Sequence, residues 1–120
     1  MSTYNGEKFL SEQLKSINNQ THRNWRLVIS DDGSSDNTLA IAKQFQNKWE
    51  SNRLEIRQGP QQGFCQNFIS MACDTTIRAD LYAFSDQDDI WMPDKLERAV
   101  RYFDKNSESQ LPIAYGTRTQ

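Results

Sequence analysis

The sequence predicts an α/β fold, a mostly parallel sheet flanked by helices. Short apolar, β-branched runs alternate with longer segments whose apolar residues recur at helical spacing. Most of these runs stop at clusters of polar turn formers, as at Asp31-Asp32-Gly33-Ser34. Such alternation builds right-handed βαβ units, which lay their strands side by side in parallel. At 120 residues the chain fits one domain, and neither an internal repeat nor a low-complexity tract divides it.

After a Thr-Tyr-Asn-Gly turn, Leu10, Leu14 and Ile17 fall at i, i+4 and i+7, which predicts a helix over 7–18. Trp25-Arg26-Leu27-Val28-Ile29-Ser30 reads as a strand ending in the acidic turn. Ser35, Asp36 or Asn37 caps the next helix, whose apolar face carries Ile41, Ala42, Phe45 and Trp49 and which closes near Glu50. Leu54-Glu55-Ile56-Arg57 alternates as a short strand, broken by Gly59 and Pro60. Phe64, Phe68 and Ala72 set a third helical stripe, and Leu81-Tyr82-Ala83-Phe84 a further strand. Pro93 suits the first position of a helix with Leu96, Val100 and Phe103 facing inward, and a last strand is expected over 111–115. Residues 106–112 form the one linker-like stretch. A helix beginning at residue 7 has no strand in front of it, and 117–120 follow a strand without a closing helix, so the chain reads as a piece of something longer.

Composition removes several function classes. Fourteen Lys and Arg against sixteen Asp and Glu leave a formal charge of -2, with no basic stripe to hold nucleic acid by counterion release. No stretch approaches the roughly 20 apolar residues of a membrane span, and residues 1–7 lack the pattern of a secretory signal, so a cytoplasmic location is expected. Hydrophobic residues at 36% allow a core, though a thin one. Cys65 and Cys73, eight apart on one helix, stand about 12 Å from each other and are expected as reduced structural thiols.

In an open parallel sheet, ligands bind beyond the carboxyl ends of the strands, and the polar clusters fall there. Asp86 and Asp88 are two residues apart, so in an extended loop both can turn to one cation while the residue between points away. Two such charges about 4 Å apart repel by roughly 1–4 kcal/mol, and a divalent ion reverses the sign. Hard oxygen donors select Mg²⁺ or Mn²⁺, which would in turn recruit phosphate oxygens to an acidic edge. Taken alone, the same tripeptide serves equally well as a helix cap. An EF-hand matches at Asp86, Asp88 and Glu97 but fails where Trp91 replaces the obligatory glycine. Asp31 and Asp32 read alone as a strand-to-helix turn; functionally, Asp32 is the better candidate to accept hydrogen bonds from a base or ribose. His22 has the setting of a surface residue, and Trp91 and Met92 suit either a sugar pocket or helix packing.

Together, Thr3-Tyr4-Asn5-Gly6, residues 29–36, Gly63 to Asn67, and Phe84-Ser85-Asp86-Gln87-Asp88-Asp89-Ile90-Trp91-Met92-Pro93-Asp94-Lys95-Leu96 resemble the family 2 inverting glycosyltransferases, in order and spacing. The wording of the last motif is similar to the rhamnosyltransferase-type members that build bacterial surface polysaccharides. The resemblance implies a GT-A fold, with residues 1–120 as its nucleotide-sugar-binding half. It implies that Thr3, Tyr4 and Asn5 lie beside the nucleotide, Asp32 meets the base, Gly63 and Asn67 lie near the donor, and Asp86 and Asp88 form a D-x-D motif with Asp88 as direct ligand of Mn²⁺ or Mg²⁺.

The implied partners are a UDP- or dTDP-sugar and a saccharide or lipid-linked saccharide acceptor, met in the cytoplasm or at the inner membrane face. The resemblance places the first strand, the general base and the acceptor pocket outside these residues, so catalysis by the chain alone is not expected. The competing reading is a non-catalytic nucleotide-binding or interaction module on the same scaffold. A phosphoryl-transfer enzyme ranks below both, because no Gly-rich phosphate loop ending in Lys is present.

Overall fold

A computed structural model describes residues 1–108 and 111–116. Seven elements follow in order: β1 (Ser2–Thr3), α1 (Leu10–Asn18), β2 (Leu27–Asp31), α2 (Thr38–Lys48), β3 (Leu54–Gln58), α3 (Phe64–Ala72) and α4 (Lys95–Lys105). The strands form one parallel sheet in the order β1-β2-β3, as their alternation with helices requires. Register brings Thr3 beside Asp31 and Asp31 beside Gln58, so the three strands end in one row.

The core lies between this sheet and its first two helices. Leu10, Leu14 and Ile17 of α1, Leu27 and Ile29 of β2, Ala42 of α2 and Leu54 of β3 are buried, with Met1 and Trp91 at the margin. Burying each large side chain contributes about 1.5–3 kcal/mol. Ile41, Phe45 and Trp49 are half-buried against that cluster, and Trp49 meets Trp25 edge-on with ring centroids 5.3 Å apart. The Trp25 indole N–H is buried without a partner among the described residues.

Several expectations are corrected. The opening residues are a strand rather than only a turn: Ser30 N–H donates to the Met1 carbonyl at 2.9 Å and Asp32 N–H to that of Thr3 at 2.8 Å. Residues 81–84 and 111–115 are not strands. Leu81, Tyr82 and Phe84 are exposed, and the β1 edge of the sheet, two residues long, offers a further strand almost no ladder to join. The α3 stripe also fails to face inward: Phe64 is 69% exposed, Phe68 is half-buried, and the one buried residue of α3 is Asn67. Leu96, Val100 and Phe103 of α4 are half-buried, and only Leu96 packs on the core. Cys65 and Cys73 are free and exposed, so neither packs a core. Residues 109–110 of the linker-like stretch and 117–120 lie outside the described residues. Among the described residues, no helix is long and apolar enough to cross a membrane.

Candidate functional site

Three loops leave the carboxyl ends of β1, β2 and β3, and a fourth, residues 85–89, joins them from the chain beyond α3. The first two are laced together. Asn5 takes a left-handed φ of 47°; its N–H donates to Ser34 Oγ at 2.9 Å and its Oδ1 accepts Ser35 N–H at 2.9 Å. Gly6 N–H donates to Thr38 Oγ1 at 2.8 Å, and Glu7 Oε2 accepts Asn37 N–H at 3.0 Å. Short polar side chains tolerate such backbone and supply the bonds that hold it.

The two adjacent aspartates do different work. Asp31 is buried, and its carboxylate accepts the hydroxyls of Thr3 and Ser34 and the N–H groups of Gly33 and Ser34. Four donors saturate it, which makes it the knot that closes the β2 turn. Asp32, 7% exposed, accepts Gln61 N–H at 2.6 Å on one oxygen and Gly63 N–H at 2.8 Å on the other. It thereby holds the third loop, where Gln61 at φ 58° and Gly63 at φ 90° both sit on the left-handed side. Each Asp32 oxygen keeps capacity for a second bond.

Asn67 lies beneath these loops and does not face the open edge. It is fully buried; its amide donates to Ser2 Oγ at 2.8 Å and to the Ser30 carbonyl at 2.7 Å, and its carbonyl oxygen accepts the Ser30 hydroxyl at 2.6 Å. Thr3 is likewise buried, whereas Tyr4 is 58% exposed at the rim.

The acidic loop is suspended from polar side chains on α1 and just beyond its end, beside the stripe of Leu10, Leu14 and Ile17. Gln13 and Gln20 are fully buried. Gln13 Nε2 donates to Ser85 Oγ at 2.9 Å, Ser16 Oγ accepts Trp91 N–H at 3.0 Å, and Gln20 donates to the Met92 carbonyl at 2.8 Å while accepting Leu96 N–H at 3.0 Å. Trp91 is thus packing, buried at the foot of α4, while Met92 is exposed. A second support is Gln87, to which the sequence assigned no role. Its Oε1 accepts Tyr4 N–H at 2.9 Å and its Nε2 donates to the Tyr4 carbonyl at 3.0 Å. The only sequence signal for this was chemical: a neutral amide between two acids can both donate and accept.

Held this way, Asp86 and Asp88 are exposed. Asp86 Oδ1 accepts only Gln87 N–H, at 2.9 Å, and the Asp88 carboxylate has no partner among the described residues. No group of three His, Cys, Asp or Glu among the described residues could hold a metal. Among the described residues those two carboxylates are free oxygen donors at this edge, a set that fits a hard cation completing its shell with phosphate oxygens and water. An open hollow of about 700 Å³, lined by Asn18, Arg23, Lys48 and Arg53, lies instead at the amino ends of the strands, the wrong end for a ligand of a parallel sheet.

A family model described as glycosyl transferase family 2 matches residues 1–116. A dTDP-rhamnosyl transferase of Shigella flexneri, RfbG, is 40% identical over 96% of this chain and 42% of its own length. The Escherichia coli protein WfgD, a UDP-Glc:alpha-D-GlcNAc-diphosphoundecaprenol beta-1,3-glucosyltransferase, is 35% identical over 91% of this chain and 41% of its own. The chain thus spans about two fifths of the length of these curated relatives. Crystal structures of S. aureus TarS 1–349 with UDP and with UDP-GlcNAc superpose with TM-scores of 0.71 and 0.70, at 26% and 28% identity, over 88% of this chain and 31% and 30% of theirs. The parallel sheet with flanking helices is the GT-A arrangement, and the chain belongs to glycosyl transferase family 2.

Proposed function

We propose that the chain is the nucleotide-sugar-binding half of an inverting glycosyltransferase that passes a sugar from a UDP- or dTDP-sugar to the hydroxyl of a saccharide or lipid-linked saccharide, in bacterial surface polysaccharide synthesis. One observation carries the reading. Of the four carboxylates at residues 31, 32, 86 and 88, the first two are engaged in holding loops, while Asp86 and Asp88 stand exposed with almost all their lone pairs open. The names of RfbG and WfgD and the nucleotides in the TarS structures agree with such a donor.

In this reading Tyr4 and Asn5 flank the nucleotide, Asp32 offers its remaining lone pairs to the base, and Gly63 leaves the third loop open to the donor. Thr3 and Asn67 support these groups from below. Asp86 and Asp88 hold Mn²⁺ or Mg²⁺, with Asp88 as the direct ligand. When bound, that cation offsets the charge on the departing diphosphate. The acidic base that activates the acceptor hydroxyl is assigned outside residues 1–120, and the reaction to the cytoplasm at the inner membrane face.

Calorimetric titration of UDP, dTDP and GDP, each with Mn²⁺ and again with EDTA, tests this. One nucleotide is expected to bind only with the metal, and Asp88→Ala to abolish that binding without unfolding the chain. Unchanged affinity in the variant would sink the metal assignment. Binding that survives EDTA in full would favour a non-catalytic nucleotide-binding module.

A further inference from the structure

We propose that Gln87 is a positioning residue: it bolts the loop carrying Asp86 and Asp88 to the backbone of the Tyr4 loop, so that the cation and nucleotide subsites keep a fixed separation. The role rests on the donor-site reading above. Gln87 comes from a segment that belongs to no strand and is flanked by the exposed residues Asp86, Asp88, Asp89 and Ile90. Nothing in the sheet fixes its height above β1. Gln13 ties the start of the loop to α1 at Ser85, and what ties its acidic tip to the Tyr4 loop is a pair of bonds to the backbone of one residue, Tyr4 N–H to Oε1 at 2.9 Å and Nε2 to the Tyr4 carbonyl at 3.0 Å. A single bond would leave the loop free to swing about it; two parallel bonds set both distance and orientation.

A second observation points to the same joint. A Cβ added at Gly6 would lie 2.2 Å from Gln87 Oε1 and 2.5 Å from its Cδ, so the backbone at Gly6 leaves just the space the amide occupies. Gly6 is buried and its N–H is spent on Thr38 Oγ1 at 2.8 Å. The joint therefore has one fixed jaw and one inserted side chain. Because the colliding atoms are the far end of a flexible side chain, Gly6→Ala should expel Gln87 rather than distort the first loop. Gly6→Ala and Gln87→Ala thus remove the same contact from opposite sides.

The test is a double-mutant cycle on Mn²⁺-dependent nucleotide affinity, using whichever of UDP, dTDP or GDP the wild type binds. Each single variant is expected to bind about tenfold more weakly, the scale of one to two net hydrogen bonds. The double variant should bind no more weakly than either single one, because the second change finds nothing left to remove. Exchange of the Tyr4 amide should be accelerated alike in all three, with unfolding temperatures close to the wild type, a pattern that general destabilisation would not give. Wild-type affinity in Gln87→Ala, losses that multiply in the double variant, or an unchanged Tyr4 amide would each overturn the role while leaving the donor site standing. A wild type that binds no nucleotide with Mn²⁺ would overturn both.

Discussion

Residues 1–58 and the chain beyond β3 are held to the same scaffold by different forces. Among the described residues, every buried apolar side chain except Trp91 lies within the first 54. The later part instead exposes Phe64, Ile69, Leu81, Tyr82, Phe84, Ile90, Met92 and Tyr102. What fastens it is a set of buried amides and hydroxyls, namely Asn67 under α3, Gln13 against Ser85, and Gln20 against Met92 and Leu96. Apolar burial is strong but indifferent to direction, whereas hydrogen bonds contribute little net free energy yet fix distance and angle. Stability therefore resides in the early part, and the placement of the acidic loop depends on bonds from both.

The sharpest way to break this contrast is a pair of truncations. Leu14 is fully buried and Phe64 is 69% exposed. Leu14→Ala should cost about 2–5 kcal/mol through lost transfer energy and the cavity left behind, and Phe64→Ala no more than about 0.5 kcal/mol. Urea unfolding of both variants measures the difference. Equal costs would mean that the second part is held by apolar packing after all.

The next effect lies within α3, where the contrast makes an unusual demand: the polar residue should matter more than the large apolar ones. Asn67→Ala strips partners from the Ser30 carbonyl and from the hydroxyls of Ser2 and Ser30, all buried. Leaving such groups unmet costs about 1–3 kcal/mol. Ile69→Ala, at a position 52% exposed, should fall within about 0.5 kcal/mol of the wild type. Hydrogen exchange should further show α3 amides losing protection in Asn67→Ala ahead of those in β2 and β3. Loss of protection in all elements together would show that α3 and the sheet unfold as one unit.

This division also explains what could be read from the sequence. Leu10, Leu14 and Ile17 announce α1 because each apolar residue in the stripe is buried in the core, and Leu27 and Ile29 announce β2 for the same reason. The pattern over 81–84 misleads because it reports a preference for extended backbone, while a strand also needs a neighbouring ladder. Phe64, Phe68 and Ala72 give the right helix and the wrong buried face. Spacing puts Gln13 and Asn67 beside the apolar stripes, three residues after Leu10 and Phe64, yet what these amides and Gln20 hold was not legible, since a buried amide's role shows only once its partner is known. Those partners are remote: Ser85 is 72 positions from Gln13, and Tyr4 is 83 from Gln87. At the site, the spacing of Asp86 and Asp88 was visible. That Asp31 is consumed by the turn while Asp32 holds the third loop required the geometry.

The smallest predicted effect concerns the ion pair that joins the two parts among the described residues. Arg57 of β3 pairs with Glu55 beside it and with Asp74, just beyond α3. The hydrogen bond from Arg57 is the main cause holding the Glu55 carboxyl below its ordinary 4.5, with Arg26 adding to it. Asp74 is held below its ordinary 3.8, first by the Thr76 hydroxyl and N–H and further by Arg57. In acid the unfolded chain therefore binds more protons at these sites than the folded chain, and stability rises with pH across that window. The contribution is fully present above 4.5 and is lost as pH falls through the depressed folded values. Arg57→Met should flatten this acid limb without changing the slope of stability with pH at neutrality. Because the groups are partly exposed and screened, the difference in urea midpoint should be roughly a few tenths molar or less. Identical acid limbs for the two chains would leave hydrogen bonds, and no ion pair, as the link between the early scaffold and the chain that carries the acidic loop.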